Sequence, residues 1–354
     1  MRVAFDWGPL LDPPTGVARY TEELGRALER SGVQVVRYAV SLRGAAAEDV
    51  ARTRAPARLV QSCWRLAGRP ILKVTRDVDV VHATNFVLPA LPSSTPGVVT
   101  VHDLSFLRDD VFPGGERLRK LVPWSVGRAA RVVTPTAAVA DEVAAAYSLD
   151  RERVIVTHEG VANHFFGATP LAAGALGRMG IPGPFVLAAG TLEPRKNLHR
   201  LVEAWRRIDL GRRGWSLVVA GPKGWDAELP ETPGVFLLGR VDDRTLPGLM
   251  AAAELFCYPS LYEGFGLPPL EAMAAGTACV VGRYAAALEL LGDAAVLIEP
   301  TDVNELAANL ERLGNDEAAR KRLSVKGRAR ATDFTWERTA RATLVAYEEA
   351  RSTP

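Results

Sequence analysis

Two glutamates, Glu263 and Glu271, stand eight positions apart in the stretch PSLYEGFGLPPLEAMAAGT, and two cations, Arg195 and Lys196, follow a strand-like run in AAGTLEPRKN. Pro268 and Pro269 suit a first helical turn, where a missing N–H is no loss, and Gly276 suits a helix end, so a helix is expected directly after Gly264, Phe265 and Gly266. Such a start offers unpaired backbone N–H groups, a positive dipole end and no side-chain obstruction, which together suit a phosphate. Glu271, expected in the first turn, has the chemistry to accept hydrogen bonds from paired ribose hydroxyls, and Glu263 stands at the mouth of the preceding loop. The helix dipole favours a first-turn glutamate whatever the function, and GFG serves equally as a tight turn.

Arg195 and Lys196 fall just past the carboxyl end of an expected strand, where open α/β sheets bind ligands and where a diphosphate needs neutralising. A solvated pair ahead of an amphipathic helix is the plainer reading of the same dipeptide. His102 ends the strand VVTVHDL, where by position alone a packed, satisfied side chain is the plainer reading, with Asp103 beside it able to orient the ring. His82, in VVHATN, reads as structural, and His158, His164 and His199 as non-catalytic. Asp77 and Asp79 spell DVD ahead of a strand rather than at its end, which is the wrong place for a carboxylate pair gripping a metal and a diphosphate; no catalytic metal is expected.

The elements that must position these residues are legible as short apolar runs alternating with helical stretches, the pattern of a parallel sheet wrapped by helices. Six runs fill the first half, beginning at Val3, Val33, Val78, Val98, Arg131 and Arg153. Six fill the second, beginning at Phe185, Ser216, Val235, Leu255, Ala278 and Ala294. Two doubly wound α/β domains in series are expected: residues 1–165, a linker at 166–184 rich in small residues, residues 185–335, and a terminal helix at 336–354. At 354 residues the chain has room for two such cores.

A net charge of +2 gives no field suited to nucleic acid. The three cysteines, Cys63, Cys257 and Cys279, are widely spaced and suggest neither disulfides nor zinc. The first residues run straight into a strand without a leader, and no apolar run reaches the roughly 18 residues of a membrane span. A cytoplasmic protein is expected. Arg52, Arg54, Arg58, Arg65, Arg69, Lys73 and Arg76, interleaved with Leu59, Val60, Trp64 and Leu66, read either as a surface for peripheral contact with anionic lipid or as a solvated helix face.

Taken together the segments resemble glycosyltransferase family 4, and its mannosyltransferase-like members in particular. TGVARYTEEL, VDVVHATN, VVTVHDLSF, RVVTPT, GTLEPRKN, AGPKGW, LFCYPSLYEGFGLPPLEAMAAGT, GDAAVLIEP and FTWERTA carry the resemblance over nearly the whole chain. It implies a GT-B fold, two Rossmann-like domains facing a cleft with the C-terminal helix crossing back to the first. The implied activity is transfer of a sugar, mannose from GDP-mannose foremost, with retained configuration to a glycan, lipid-linked or small-molecule acceptor.

Carried over by residue, Arg195 and Lys196 would hold the diphosphate with the backbone of Gly264, Phe265, Gly266 and Leu267; Glu271 would bind ribose, and Glu263 the donor sugar. His102 would face the reacting sugar and Gly16 the phosphates. No cofactor or metal is implied, since the leaving diphosphate itself would take the acceptor proton. The chain departs from the family pattern beside Gly190, where an arginine is common, and at GRYAAALELLGD, where Arg283 and Tyr284 replace small residues and Leu288 a proline. A sugar-nucleotide epimerase or hydrolase, or a nucleotide-binding module without turnover, are the competing readings. A nicotinamide oxidoreductase is weaker still, since GxGxxG is absent from the first strand-to-helix turn and GFGLPP sits at the wrong point in the sheet.

Overall fold

The structure is a computed structural model; it describes all residues except 12–14, 43–48, 69–71, 76, 109–110, 226–227 and 353–354, and the side chains of Ala67 and Lys73. Arg69 and Arg76 of the basic stretch therefore lie outside the described residues.

The chain divides into two compact units, Met1–Gly160 with Thr335–Pro354, and Val161–Phe334. In the first, β1 (Arg2–Asp6), β2 (Gln34–Val40), β3 (Ala51–Thr53), β4 (Val80–Ala83), β5 (Gly97–Thr100), β6 (Arg131–Thr134) and β7 (Val154–Val156) form one sheet. Its order is β3-β2-β1-β4-β5-β6-β7, and every pairing is parallel. A parallel sheet is covered on both faces, so its strands read as unbroken apolar runs, and their neighbours split between two cores. Val3, Val80, Val98 and Val133 join one cluster, while Ala4, Val81, Val99 and Val132 join the other. The three-residue β3 was not expected; Ala-Arg-Thr at a sheet edge has no apolar run to betray it.

The second unit repeats the plan with β8 (Phe185–Ala189), β9 (Ser216–Ala220), β10 (Val235–Gly239), β11 (Leu255–Tyr258), β12 (Ala278–Gly282) and β13 (Val296–Ile298). Its order is β10-β9-β8-β11-β12-β13, again all parallel. In each unit the winding reverses beside the first strand, between β1 and β4 and between β8 and β11. Such a reversal leaves a crevice at the carboxyl ends of the two strands, the usual ligand position of open α/β sheets.

The division differs from the expected 166–184 linker. Val161, Ala162, Phe165 and Ile181 are buried in the second unit's core, with Phe166, Leu171, Leu176 and Met179 packed against it and a short helix at Ala173–Arg178. Widely spaced apolar anchors among glycines and prolines have no period, which is why this packed segment reads as a linker. The C-terminal helix Trp336–Ser352 belongs to the first unit. Trp336, Ala340, Tyr347 and Ala350 recur at helical spacing and bury in one cluster with Tyr20, Leu24 and Leu28. Gly160 is required where this segment arrives, since a Cβ there would lie 2.3 Å from the Trp336 nitrogen.

Candidate active site

At the carboxyl end of β8 the chain turns at Gly190, whose φ of +142° favours glycine and whose Cα faces the Lys196 stem. A 3-10 turn, Pro194–Lys196, follows and stops at Asn197 in the left-handed region, φ 60°. Asn197 Nδ2 donates to the Pro259 and Pro300 carbonyls at 3.0 and 2.6 Å, which ties the turn to the ends of β11 and β13. This turn aims Lys196 into the protein. Its Nζ donates to Glu263 Oε1 at 2.7 Å and to the Tyr258 hydroxyl at 2.5 Å, and that hydroxyl donates to the same carboxylate oxygen at 3.0 Å.

Arg195 Nη1 pairs with Glu263 Oε2, and its Nη2 lies 2.7 Å from Glu193 Oε1. Lys196, Glu193 and Glu263 are 8%, 4% and 7% exposed, so one ammonium and two carboxylates meet almost out of water, with the half-buried Arg195 guanidinium beside them. Burial pushes the Glu263 carboxyl up, but the charges of Arg195 and Lys196 outweigh it and hold the group at about 2. Burial and the Arg195 charge draw the Lys196 ammonium below the usual lysine value, against the pull of Glu263 and Glu193. Burial and the Glu263 charge raise the Tyr258 phenol well above its usual value.

Beside this cluster the helix Leu267–Ala275 starts from Gly266, which has φ +98°. The helix expected directly after GFG is therefore present, and Pro268 and Pro269 leave Leu267 the one N–H among its first three residues. Phe265 faces inward, 5% exposed and edge-on to Phe334 with ring centroids 5.9 Å apart, so its backbone is what it offers the loop. Glu271 is the fifth residue of the helix, not in the first turn as expected; the dipole argument does not reach it, and it is 2% exposed. The Tyr284 hydroxyl stands over Gly266, where a Cβ would come within 2.7 Å of it.

In the first unit His102 lies two residues past β5 and is 8% exposed. Its Nε2 donates to the Thr84 carbonyl at 2.8 Å, since a carbonyl only accepts, and Nδ1 faces Glu159 Oε1 at 3.4 Å. Asp103, expected to orient this ring, instead accepts from the Ser105 backbone at 2.8 Å; Glu159, from the loop after β7, takes that place. Tyr20 meets the ring edge-on, centroids 4.8 Å apart. Gly16 opens the helix Gly16–Arg30 behind the Thr15 cap, and no described atom lies within 4 Å of where its Cβ would be.

His82 is fully buried between the Tyr347 hydroxyl at 2.6 Å and Thr100 Oγ1 at 2.8 Å, and burial lowers its pKa to about 3, so it is a neutral structural group. Asp79 accepts the Arg2 backbone N–H at 2.7 Å ahead of β4, consistent with its reading as the start of a strand. Trp64 and Val60 of the basic stretch point into the core, leaving Leu59 and Leu66 outside, so no aromatic stands on that surface. Among the described residues no helix is long and apolar enough to cross a membrane.

Glu193, Tyr258, Glu159 and Asp6 are not marked by the sequence. Glu193 sits inside EPRK, which was weighed for its cations alone. Asp6 ends β1 and accepts from the Gly8 N–H at 2.9 Å; burial raises its carboxyl to about 6 against that hydrogen bond.

Comparison with known proteins bears on both units. Residues 14–165 match the family model described as Glycosyltransferase Family 4, and residues 181–330 the one described as Glycosyl transferases group 1. An O-antigen chain mannosyltransferase B from Escherichia coli is 28% identical over 98% of this chain and 100% of its own. An MMP alpha-(1->4)-mannosyltransferase from Mycolicibacterium hassiacum is 43% identical over 35% of this chain and 31% of its own. Among solved structures, a sucrose-phosphate synthase from Thermosynechococcus elongatus superposes with a TM-score of 0.76 at 19% identity, covering 98% of each chain.

Proposed function

We propose, from the premise that this chain belongs to the family 4, group 1 glycosyltransferases of GT-B fold, that it transfers mannose from GDP-mannose to a hydroxyl of a glycan acceptor with retained anomeric configuration. Transfer of a sugar from a nucleotide donor follows from the family. Mannose as the sugar is supported by two relatives named as mannosyltransferases, and a glycan as acceptor by the O-antigen name of the first.

The observation that carries the donor site is the buried Lys196–Glu263–Arg195 cluster beside the start of the Leu267–Ala275 helix, at the point where the second sheet reverses. A diphosphate is the anion that such a pair of cations and the positive end of a helix dipole would take. On this reading Arg195 and Lys196 turn from Glu263 towards the leaving diphosphate as its charge develops, so that stabilisation is greatest in the transition state. Glu263 is then released to accept from donor-sugar hydroxyls, and Glu271 accepts from the ribose. The two cations supply the charge compensation a metal would otherwise give. His102 and Gly16, in the first unit, are proposed as donor residues by the family resemblance alone.

The test is a thermal-shift screen with GDP, UDP and dTDP, followed by an assay of GDP release from GDP-mannose with a mannan oligosaccharide acceptor. A ligand held only by the native state raises its melting point. The proposal expects GDP to stabilise most; a shift with UDP alone would overturn the donor assignment.

A further inference from the structure

Tyr284 occupies the loop between β12 and the helix Ala285–Leu291, in the segment where the chain leaves its family's pattern. The ring is packed in the second unit's core and the residue is 5% exposed. Its hydroxyl stands over Gly266, the residue from which the nine-residue helix Leu267–Ala275 starts. That approach depends on glycine, because a Cβ at Gly266 would lie 2.7 Å from the phenol oxygen. Among the described residues the hydroxyl has no hydrogen-bond partner, and it is not one of the polar atoms sealed from solvent. Tyr258 differs: its hydroxyl is fully engaged between Lys196 and Glu263.

A phenol held at the rim of a helix start, with nothing to donate to, is a donor waiting for an acceptor. Burial and the Glu263 charge keep it protonated through the physiological range. Arg195 and the positive end of the helix dipole favour an anionic acceptor at this hydroxyl. We propose that the Tyr284 hydroxyl donates a hydrogen bond to the sugar-bearing phosphate of a nucleoside diphosphate donor, making Tyr284 a substrate-binding residue. The inference rests on the donor reading above.

The probe is a nucleotide pair, GDP and GMP, titrated by calorimetry into the wild type and Tyr284→Phe, which keeps the packed ring and removes one oxygen. A hydrogen bond to a charged group predicts a loss of about tenfold or more in GDP affinity, with GMP affinity unchanged because it lacks the contacted phosphate. With GDP-mannose, kcat/KM should fall at least as much and kcat should fall with it, since the leaving phosphate gains charge in the transition state. Unchanged GDP affinity in Tyr284→Phe, or an equal loss for GDP and GMP, would overturn the Tyr284 assignment while leaving the donor site standing. A wild type that binds neither nucleotide would overturn the GDP reading and this inference together.

Discussion

Lys196 Nζ lies 2.7 Å from Glu263 Oε1 although 67 positions separate the two residues, and both are more than nine-tenths buried. The pair joins the loop after β8 to the loop after β11, the two strands flanking the reversal of the second sheet. The carboxylate is the partner of both cations, so it marks the place where a second anion would compete for them.

Replacing Lys196 with Ala should reduce transfer by about a hundredfold or more, the usual scale for losing one charge-stabilising group at a reacting centre. Glu263 keeps Arg195 as partner, so the fold should survive with a lower melting point. Steady-state kinetics and a thermal melt on the same preparation measure both. Near-normal kcat in a folded variant would remove Lys196 from the leaving-group role.

Glu263 gives a prediction in pH. Its carboxyl is held at about 2 against an ordinary 4.5, so its charged form contributes stability that is complete above about pH 4.5 and is lost as pH falls towards 2. At about 1.4 kcal/mol per unit this is on the order of 3 kcal/mol. Urea unfolding of wild type and Glu263→Gln across pH 2 to 6 should show the wild-type advantage shrinking towards acid. An advantage that stays constant over that range would mean that the carboxylate is not strongly paired.

How far these features were legible follows from what each depends on. Fully buried strands such as Val98–Val99 and Val280–Val281 announce themselves in any register, since both faces are apolar. Arg195, Lys196 and Glu263 stand out as charges beside strand ends, a local signal that leaves the solvated reading open until the family resemblance joins them. Tyr258 and Glu193 do not, because an aromatic at the end of a buried strand and a glutamate beside a proline look ordinary until the fold places them against Lys196. The same holds for Glu159, which reaches His102 from 57 positions away. Asp103, its sequence neighbour, is engaged in its own turn.

Glu271→Ala should weaken GDP binding by about tenfold, the scale of losing hydrogen bonds to an ionised acceptor. Isothermal titration decides it, with Tyr284→Phe alongside as a variant whose effect should vanish for GMP. The ribose is common to GDP and GMP, so the Glu271 loss should be the same for both. A loss confined to GDP would place Glu271 at the phosphates instead.

Asp6 predicts the opposite pH behaviour from Glu263. Burial lifts its carboxyl from 3.8 to about 6 in the folded protein, so between those values the native state binds a proton that the unfolded chain has released. Stability from this group is therefore full below about pH 4 and declines as pH rises through 6. The side chain is partly open to solvent, so the effect is discounted to on the order of 1–2 kcal/mol. Asp6→Asn keeps an oxygen to accept from the Gly8 N–H and carries no charge to bury. It should melt higher than wild type at pH 7 and match it near pH 4. Melting curves of both proteins from pH 4 to 8 provide the check; a variant less stable than wild type at pH 7 would show that the Asp6 charge is compensated in the fold. Asp6 ends β1 beside the reversal of the first sheet, the counterpart of β8 in the second. A gain in stability at pH 7 would mean that this edge carries a strained carboxylate, which is the expected state of a residue kept for binding rather than for folding.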